Sequence, residues 1–255
     1  MRVILLFIIG LASVSATPVS GRIVGGSTVS IDHYPMAAAM LFSRGGVTDF
    51  VQTCGGSIIT SRTILSASHC YRGFPAVRWR ARVGSTYAHS GGIVHNTARI
   101  YHHPDFQSLI IDNNVAVLHM AVHFTFTNTV QQGALAGANY NLADNQVVWA
   151  IGWGHTSFGG QPSEELQHVQ VWTINQETCR QRYALVSRPI TDSSLCSGWL
   201  NVGGRDQCQG DSGSPLLHND VIVGVSSFGV DCGSPVFPGV NARVSRLIDW
   251  IVERA

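Results

Sequence analysis

A serine placed between small residues could supply a nucleophile in this chain. Residues 210–215 read Gly-Asp-Ser-Gly-Ser-Pro, so Ser212 lies on a tight turn. Such a turn exposes the hydroxyl and lets neighbouring backbone N–H groups converge on one point, where they can stabilise an oxyanion. The same hexapeptide could also form an ordinary β-turn. The nucleophilic interpretation therefore depends on partner residues elsewhere in the chain.

A serine hydroxyl is a weak nucleophile and needs a base. Among 11 His residues, His69 stands out because it precedes Cys70, whose disulfide would fix the local backbone. A base in turn needs a group that orients it. Asp112 precedes the strand-like run 115–118 and is the candidate, although an isolated Asp at such a place is more often a turn residue. From the residues alone, His69, Asp112 and Ser212 are candidates for the base, the orienting group and the nucleophile.

Short strand-like runs recur along the chain and would have to position these residues. They are β-branched or alternating, and Gly, Asn, Asp or Ser bound them. Examples are residues 56–59, 80–83, 115–118, 147–151 and 221–225. Residues 245–253 differ, since their apolar side chains share one helical face. The pattern favours an antiparallel all-β architecture that ends in a helix packed on a barrel.

The composition permits a large core and argues against highly charged partners. The chain has 255 residues, 45% of them hydrophobic and 12% charged, with a formal net charge of +1. We therefore expect neither nucleic acid nor a membrane surface as a partner. All 16 basic residues are Arg and none is Lys. Nucleotide bias would explain this, and so would adaptation to alkaline fluid, in which Arg keeps its charge and Lys loses it.

The first residues are typical of an export signal. An apolar run from Val3 to Leu11 follows Arg2, and small residues lead to Ala16. The run is too short to span a bilayer as a stable helix. We predict a signal peptide over residues 1–16, and hence a secreted protein.

Six cysteines fit an oxidising compartment. An even number in an exported chain indicates disulfides, but six cysteines allow about 15 pairings that spacing alone leaves open. In chain order the cysteines are Cys54, Cys70, Cys179, Cys196, Cys208 and Cys232. Their spacing does not resemble a zinc site, and we predict no metal and no cofactor.

Taken together, these segments resemble the chymotrypsin–trypsin family, whose His, Asp and Ser occur in this chain order. Residues 23–26 (Ile-Val-Gly-Gly) look like the family's mature N-terminus, and residues 149–154 and 238–240 match other family landmarks. The resemblance covers residues 23–255 and is nearest to the digestive trypsins of insect midguts. It implies two antiparallel six-stranded β-barrels with a C-terminal helix, and a secreted protein, with the gut lumen as its place.

The resemblance assigns a catalytic role to each motif. Ser212 would attack the scissile carbonyl, and His69 would take its proton and pass it to the leaving amine. Asp112 would hold the His69 tautomer and stabilise the imidazolium. The N–H groups of Gly210 and Ser212 would form the oxyanion hole.

The resemblance also implies a pocket for basic side chains. Asp206, six residues before Ser212, would pair with an arginine guanidinium at the base of the pocket. Gly229 and Gly239 would leave the pocket open, and the run Ser227, Phe228, Gly229 would pair with the substrate backbone. Taken alone, Asp206 would be read as a solvated loop residue.

The same similarity pairs the cysteines as Cys54–Cys70, Cys179–Cys196 and Cys208–Cys232. The first pair would brace His69, and the last would tie the Ser212 loop to the substrate-binding strand.

Activation would follow from cleavage between Arg22 and Ile23, with residues 17–22 as the removed propeptide. The new ammonium of Ile23 would insert beside Asp211 and order the oxyanion loop. Because the propeptide ends in Arg, the enzyme could activate itself. In alkaline fluid the ammonium would need a strongly raised pKa to stay charged.

Four positions depart from the family pattern. Ser214 replaces a Gly, which would cost stability if the position needed positive φ. Gln207 stands where many trypsins have Ser and puts acceptance of Lys in doubt. Phe228 replaces a Trp, and Asp231 stands where Gly is common at the pocket rim. Residues 71–83 hold no Asp or Glu, so we predict no calcium site.

The sequence therefore predicts a monomeric serine endopeptidase that acts on proteins and peptides after Arg, and after Lys as well, and that protein inhibitors would block. One rival is a silent homologue that binds a partner, which would be expected to have lost a triad residue. A second rival is a protease for aromatic or mixed residues, against which Asp206 argues.

Overall fold

The computed structural model describes residues 23–255. The predicted signal peptide (1–16) and propeptide (17–22), including Arg22, lie outside the described residues. Within residues 23–255 the chain forms fourteen β-strands, which are β1 (Ser27–Thr28), β2 (Ala37–Phe42), β3 (Val51–Ile58), β4 (Thr63–Ser66), β5 (Trp79–Val83), β6 (Ile93–His102), β7 (Ala116–Met120), β8 (Ala134–Leu135), β9 (Val147–Gly152), β10 (Gln167–Thr173), β11 (Ser194–Gly198), β12 (Pro215–His218), β13 (Val221–Phe228) and β14 (Gly239–Arg243).

Helices are few and short in the described chain. The α-helices are α1 (Ser68–Tyr71), α2 (Gln176–Ala184) and α3 (Val244–Arg254), and 3₁₀ turns cover Ile31–His33 and Ala76–Arg78. Asn175 caps α2, because its side chain accepts hydrogen bonds from the second and third N–H groups of that helix. None of the helices of residues 23–255 is long and apolar enough to cross a membrane.

The strands close into two barrels, as the sequence predicted. The first barrel has the order β2-β3-β4-β7-β6-β5 and closes on itself. The second has the order β10-β11-β14-β13-β12-β9 and closes through a β9–β10 pairing, with β1 and β8 added at its edges. All pairings within these two rings are antiparallel, so the all-β prediction is confirmed.

The alternating strand pattern explains how each barrel fills its interior. Along β5 and β10, buried and half-buried side chains alternate, as the period-two geometry of a strand requires. Trp79 and Tyr71 pack edge to face inside the first barrel, with ring centroids 4.5 Å apart. A larger cluster, rich in Val, Ile and Leu, fills the second barrel, extends to the C-terminal helix and includes first-barrel residues such as Leu65 and Val117.

Helix α3 confirms the prediction of a C-terminal helix that packs on a barrel. Leu247 and Ile251 are buried against the second barrel, and Ile248 is partly buried beside them. The helix also reaches the first barrel, since His119 Nε2 lies 2.7 Å from the carbonyl oxygen of Arg254. The helix thereby bridges the two barrels at the end of the chain.

The three predicted disulfides are present, and each closes a short loop. Cys54–Cys70 lies in the first barrel, and Cys179–Cys196 and Cys208–Cys232 lie in the second. None of these crosslinks joins one barrel to the other. Segments of both barrels meet instead at the Ser212 loop, which lies between β11 and β12.

Candidate active site

The Ser212 loop is a tight turn that both barrels hold. The N–H of Gly55 in the first barrel donates to the carbonyl of Ser212 at 2.8 Å, and the N–H of Gly213 donates to Ser226 in the second barrel, also at 2.8 Å. Gly213 has φ +86° and packs so closely on Ser66 and the Gly55 carbonyl that a Cβ would collide with them. Glycine is therefore required for the turn.

Two backbone N–H groups of this turn are free to bind an anion. Within residues 23–255, the N–H groups of Gly210 and Ser212 donate to no protein acceptor. The carbonyl of Gly210 is held by Gln52, whose Nε2 donates to it at 2.8 Å. This contact fixes the orientation of the Gly210 peptide, a feature that sequence reasoning missed because Gln52 lies 158 positions away.

Ser214 does not strain the turn. It is not among the residues with positive φ, so the cost anticipated for a side chain at this position does not arise. Its N–H donates to the Asp211 carbonyl at 2.9 Å, and its side chain packs against Gly55 and Gly152, where larger residues would not fit.

His69 lies on α1, directly opposite the Ser212 loop. The side chain of Ser68 donates to the Val115 carbonyl at 2.7 Å and anchors the start of the helix. Cys70, the next residue, is disulfide-bonded, and its Sγ lies 3.7 Å from the Ser212 carbonyl oxygen. No hydrogen bond joins His69 to the Ser212 hydroxyl among the described residues. Burial lowers the pKa of His69 below its usual range.

Asn114, and not Asp112, is the residue that contacts the His69 ring. Asn114 Nδ2 lies 2.7 Å from His69 Nδ1 and 2.7 Å from Ser227 Oγ, and Asn114 Oδ1 accepts a hydrogen bond from the His69 backbone N–H at 3.0 Å. Asn114 is 1% exposed, just before the buried strand β7. Sequence reasoning missed Asn114, although its position next to that strand was a usable signal.

The prediction that Asp112 orients His69 is therefore wrong. The Asp112 carboxylate accepts hydrogen bonds from Thr191 Oγ1 at 2.6 Å and from the Ser193 hydroxyl, on the loop before β11. The chain turns sharply here, with φ of 56° at Ile111 and 50° at Asn113. Asp112 lies two residues before the position that meets the imidazole, and the turn directs its side chain to another loop.

A cavity opens beside Ser212, with Asp206 at its base. The cavity has a volume of about 200 Å³, and its lining includes every residue predicted for substrate binding: Asp206, Ser227, Phe228, Gly229 and Gly239. Ser212 lies on the same lining, so the structure brings these predicted residues together. A Cβ on Gly239 would lie 2.5 Å from Asp206 Oδ1, so only glycine leaves the carboxylate accessible.

Among the residues that the structure describes, no cationic side chain pairs with the buried Asp206. It is 3% exposed, and its two oxygens accept hydrogen bonds from the N–H groups of Gln207 at 2.9 Å and Gly233 at 3.2 Å. Burial raises the pKa of Asp206 to about 8 despite these donors. A cation entering the cavity would favour the ionised carboxylate. Asp231 is exposed at the cavity mouth and adds negative charge there.

Asp211 and Ile23 are both buried behind the Ser212 loop. Asp211 is fully buried and accepts hydrogen bonds from Gly154 N at 2.8 Å and Cys208 N at 2.9 Å. Burial raises the pKa of Asp211 to about 7. Ile23 is fully buried in the hydrophobic cluster that fills the second barrel. The carbonyl oxygen of Val24 accepts a hydrogen bond from the Asp206 N–H at 3.3 Å. The start of the described chain thus packs against the loops that carry the site.

Comparisons with known proteins agree with this geometry. The family model described as Trypsin matches residues 23–251. "Trypsin, alkaline B" of Manduca sexta is 57% identical, and the match covers 98% of each chain. "Trypsin CFT-1" of Choristoneura fumiferana is 55% identical over all of both chains. "Achelase-1" of Lonomia achelous is 49% identical over 80% of this chain and 95% of its own.

Proposed function

Because this chain belongs to the trypsin family of serine endopeptidases, we propose that it is a secreted digestive enzyme that cleaves peptide bonds after Arg. The observation that carries the proposal is the buried Asp206 at the base of a cavity that opens beside Ser212. A carboxylate at that depth can select a cationic side chain and present the next peptide bond to the serine hydroxyl.

The nucleophile in this proposal is Ser212. Its oxygen attacks the scissile carbonyl carbon, and the carbonyl oxygen becomes an oxyanion next to the free N–H groups of Gly210 and Ser212. Each such donor is typically worth about 3 kcal/mol of transition-state stabilisation. His69 is the candidate base beside this serine, and its ring contacts Asn114 rather than Asp112, which changes what the imidazole can accept.

Specificity in this proposal comes from charge and shape together. The planar fork of a guanidinium matches the two oxygens of a carboxylate, which a lysine ammonium does not. Gln207 narrows the base of the cavity, where its Nε2 lies 3.3 Å from the Val240 carbonyl. We therefore propose that Arg substrates are preferred and Lys substrates are accepted more weakly.

Activation by cleavage between Arg22 and Ile23 belongs to the same proposal. A new ammonium at Ile23 would be available to Asp211, which is buried without a cationic partner in the described chain. Pairing would lower the pKa of Asp211 from about 7 and keep it ionised. The arginine before the cleaved bond fits the proposed specificity, so one active molecule could process the next.

An alkaline digestive fluid is the proposed working environment. The absence of Lys supports it, because Arg alone keeps a positive surface at high pH. The names of two relatives in Manduca sexta contain the word alkaline. Proteins and peptides are the substrates, protein inhibitors are the expected partners, and the enzyme acts as a monomer in the gut lumen.

A second candidate function is an arginine-binding homologue with little hydrolysis. A silent homologue is expected to have lost a triad residue, and Asn114 stands where a carboxylate would orient His69. An organophosphate that labels Ser212 tests whether the hydroxyl is reactive. Stoichiometric labelling supports the enzyme, and unlabelled Ser212 in activated chain supports the silent homologue.

The proposed function is tested with matched peptide amides that differ only in Arg, Lys or Phe before the scissile bond. The precursor is cleaved at Arg22, and hydrolysis is followed from pH 7 to 11, with Ser212→Ala as the matched inactive control. We expect cleavage of the Arg amide ahead of the Lys amide and none of the Phe amide. Preference for Phe, or equal rates in the Ser212→Ala control, would overturn the proposal.

A further inference from the structure

We propose that Asn114 makes peptide hydrolysis by this chain depend on hydroxide, so that turnover is slow at neutral pH and rises continuously in alkaline solution. This inference rests on the proposed function, since it concerns the pH dependence of the same site. It makes Asn114 a positioning residue that acts through His69.

The contact with Asn114 determines the tautomer of His69. An amide nitrogen can donate a hydrogen bond but cannot accept one. Because Asn114 Nδ2 lies 2.7 Å from His69 Nδ1, that ring nitrogen must be the acceptor and carry no proton. A neutral imidazole then carries its proton on Nε2, the nitrogen needed to accept the Ser212 proton.

A second contact holds the Asn114 amide in its orientation. Asn114 Oδ1 accepts the backbone N–H of His69 at 3.0 Å. Rotating the amide by half a turn would place Nδ2 against that N–H, with two donors facing each other. The backbone N–H of His69 therefore fixes the orientation of the Asn114 amide, and the amide fixes the tautomer of the imidazole. A carboxylate at position 114 could accept from both the backbone N–H and Nδ1–H.

This tautomer determines which species takes the Ser212 proton during hydrolysis. With Nε2 protonated, His69 cannot take the Ser212 proton, so a hydroxide ion takes it and becomes water. The Ser212 oxygen then bonds to the scissile carbon, and an electron pair moves to the carbonyl oxygen. When the C–N bond breaks, the leaving nitrogen takes a proton from water and hydroxide is regenerated. A second hydroxide adds to the acyl carbonyl carbon, and the bond to the Ser212 oxygen breaks. That oxygen takes the proton of the new carboxylic acid, and the product leaves as a carboxylate.

The pKa of His69 does not control this dependence. Burial lowers the pKa of His69, so titration of the ring is shifted away from alkaline pH and does not account for a rise there. The rate is limited because the one proton of the neutral imidazole lies on Nε2, the nitrogen that would have to accept the Ser212 proton. The loss of a carboxylate at this place, by replacement with an amide, costs about 10⁴ in kcat in enzymes of this mechanism.

Other titratable groups near His69 cannot produce the same profile. The groups on α1 and just after it are Tyr71, whose pKa burial raises, and Arg72. On the other packed elements they are His102 on β6, Asp112 before β7, and Asp206 and Asp211 beside Ser212, whereas β3, β4 and β13 carry none. Asp206 ionises around pH 8, which strengthens substrate binding. Asp211 is kept ionised by the Ile23 ammonium in the activated chain. Their effect levels off once they are charged, whereas hydroxide dependence does not.

The test compares activated wild-type chain with Asn114→Asp. Asn113→Asp is the matched control, because it makes the same chemical change one residue away, where the amide donates to Asp105 instead. We measure kcat and KM for an Arg peptide amide from pH 6 to 11. For wild type and for the control, we expect log kcat to rise with a slope of about one per pH unit, without a plateau.

For Asn114→Asp we expect kcat at pH 7 to rise by about 10³–10⁴, with a plateau above neutral pH and little change in KM. Nitrogen-15 spectra of the ring give a second measurement, which does not depend on turnover. They should show Nδ1 without a proton in wild type and with one in Asn114→Asp. A neutral plateau in wild type, or a folded Asn114→Asp chain without a gain in kcat, would overturn the inference.

Benzamidine binding separates this inference from the proposed function. Suppose that Arg amides are cleaved, but log kcat does not rise with pH in wild type or kcat does not increase in Asn114→Asp. Only the role of Asn114 is then refuted. If neither chain cleaves Arg amides at any pH and neither binds benzamidine, the proposed function has failed, and the inference with it.

Discussion

The two sides of the candidate site treat a buried polar side chain in opposite ways. At the base of the cavity the chain keeps a carboxylate, Asp206, with two backbone donors. Beside the imidazole it holds an amide, Asn114, which is buried to a similar degree. The first arrangement keeps the chemistry that recognises a cation, and the second lacks the group that would stabilise an imidazolium. Recognition and proton transfer can therefore vary independently in this fold.

Among variants of the cavity and the Ser212 turn, the largest effect is expected for Asp206→Ser, which removes recognition and leaves proton transfer intact. Loss of a buried charge partner costs about 3–5 kcal/mol, so kcat/KM for an Arg amide should fall by about two to four orders of magnitude. If the two sides are independent, the factor should be the same in the wild-type and Asn114→Asp backgrounds. If the fall in kcat/KM caused by Asp206→Ser differed by more than tenfold between the two backgrounds, recognition and proton transfer would not be independent.

A smaller effect is expected for Gly239→Ala, which keeps the carboxylate but obstructs it. The new Cβ would lie 2.5 Å from Asp206 Oδ1. Overpacking of this kind costs about 1–3 kcal/mol, so benzamidine affinity should fall roughly tenfold to a hundredfold. Gly198→Ala is the control, because its nearest contact would be an ordinary 3.4 Å. Equal affinities in the two variants would contradict the geometry.

The pH dependence of binding should show a change of about tenfold per pH unit below the pKa of Asp206. Burial raises that pKa to about 8, and only the ionised form pairs with a cation. Benzamidine affinity, measured by calorimetry, should rise up to about pH 8 and then level off. Proton release should accompany binding at pH 7. Affinity that does not change between pH 6 and 9 would mean that the empty carboxyl is already charged.

The same raised pKa has a consequence for stability without ligand. For Asp206 the folded state binds the proton more tightly than the unfolded state, whose pKa is about 3.9. Its contribution to the free energy of unfolding is therefore most favourable at low pH and is lost as pH rises through about 8.

The smallest effect is expected for Ser214→Gly, which restores a residue common in the family. Because Ser214 does not have positive φ, glycine relieves no strain. We expect kcat to change less than about twofold and the free energy of unfolding to change by less than about 1 kcal/mol. A gain of several kcal/mol in thermal or denaturant unfolding would show that the turn is strained after all.

Much of the fold was predictable because its signals are local. Strand runs such as residues 147–151 and 221–225 appear as β9 and β13, since alternation and turn residues mark their ends. The two-residue strands β1 and β8 carry too little pattern to be predicted. The disulfide pairs were predictable only through family resemblance, because spacing alone leaves every pairing open.

The sequence predicted the site residues correctly where a motif contains them. The prediction failed where the position of a residue relative to a turn decides which side chain meets His69. Ser212, Asp206 and Gly239 lie on one cavity, as expected. Asp112 was chosen because its charge fits the role, but three polar residues precede β7 and only the third meets His69. Which of the three does so depends on turn conformations at Ile111 and Asn113, and composition does not reveal those.

Because every disulfide stays within one barrel, covalent bonds do not protect the cleft between the barrels. Noncovalent contacts keep the two halves in register, namely a hydrophobic cluster with members from both barrels and hydrogen bonds such as Gly55 with Ser212 and Gln52 with Gly210. Inactivation then has two separate routes. Reducing agents would act on the individual barrels, whereas heat or denaturant would act on the noncovalent contacts that join them.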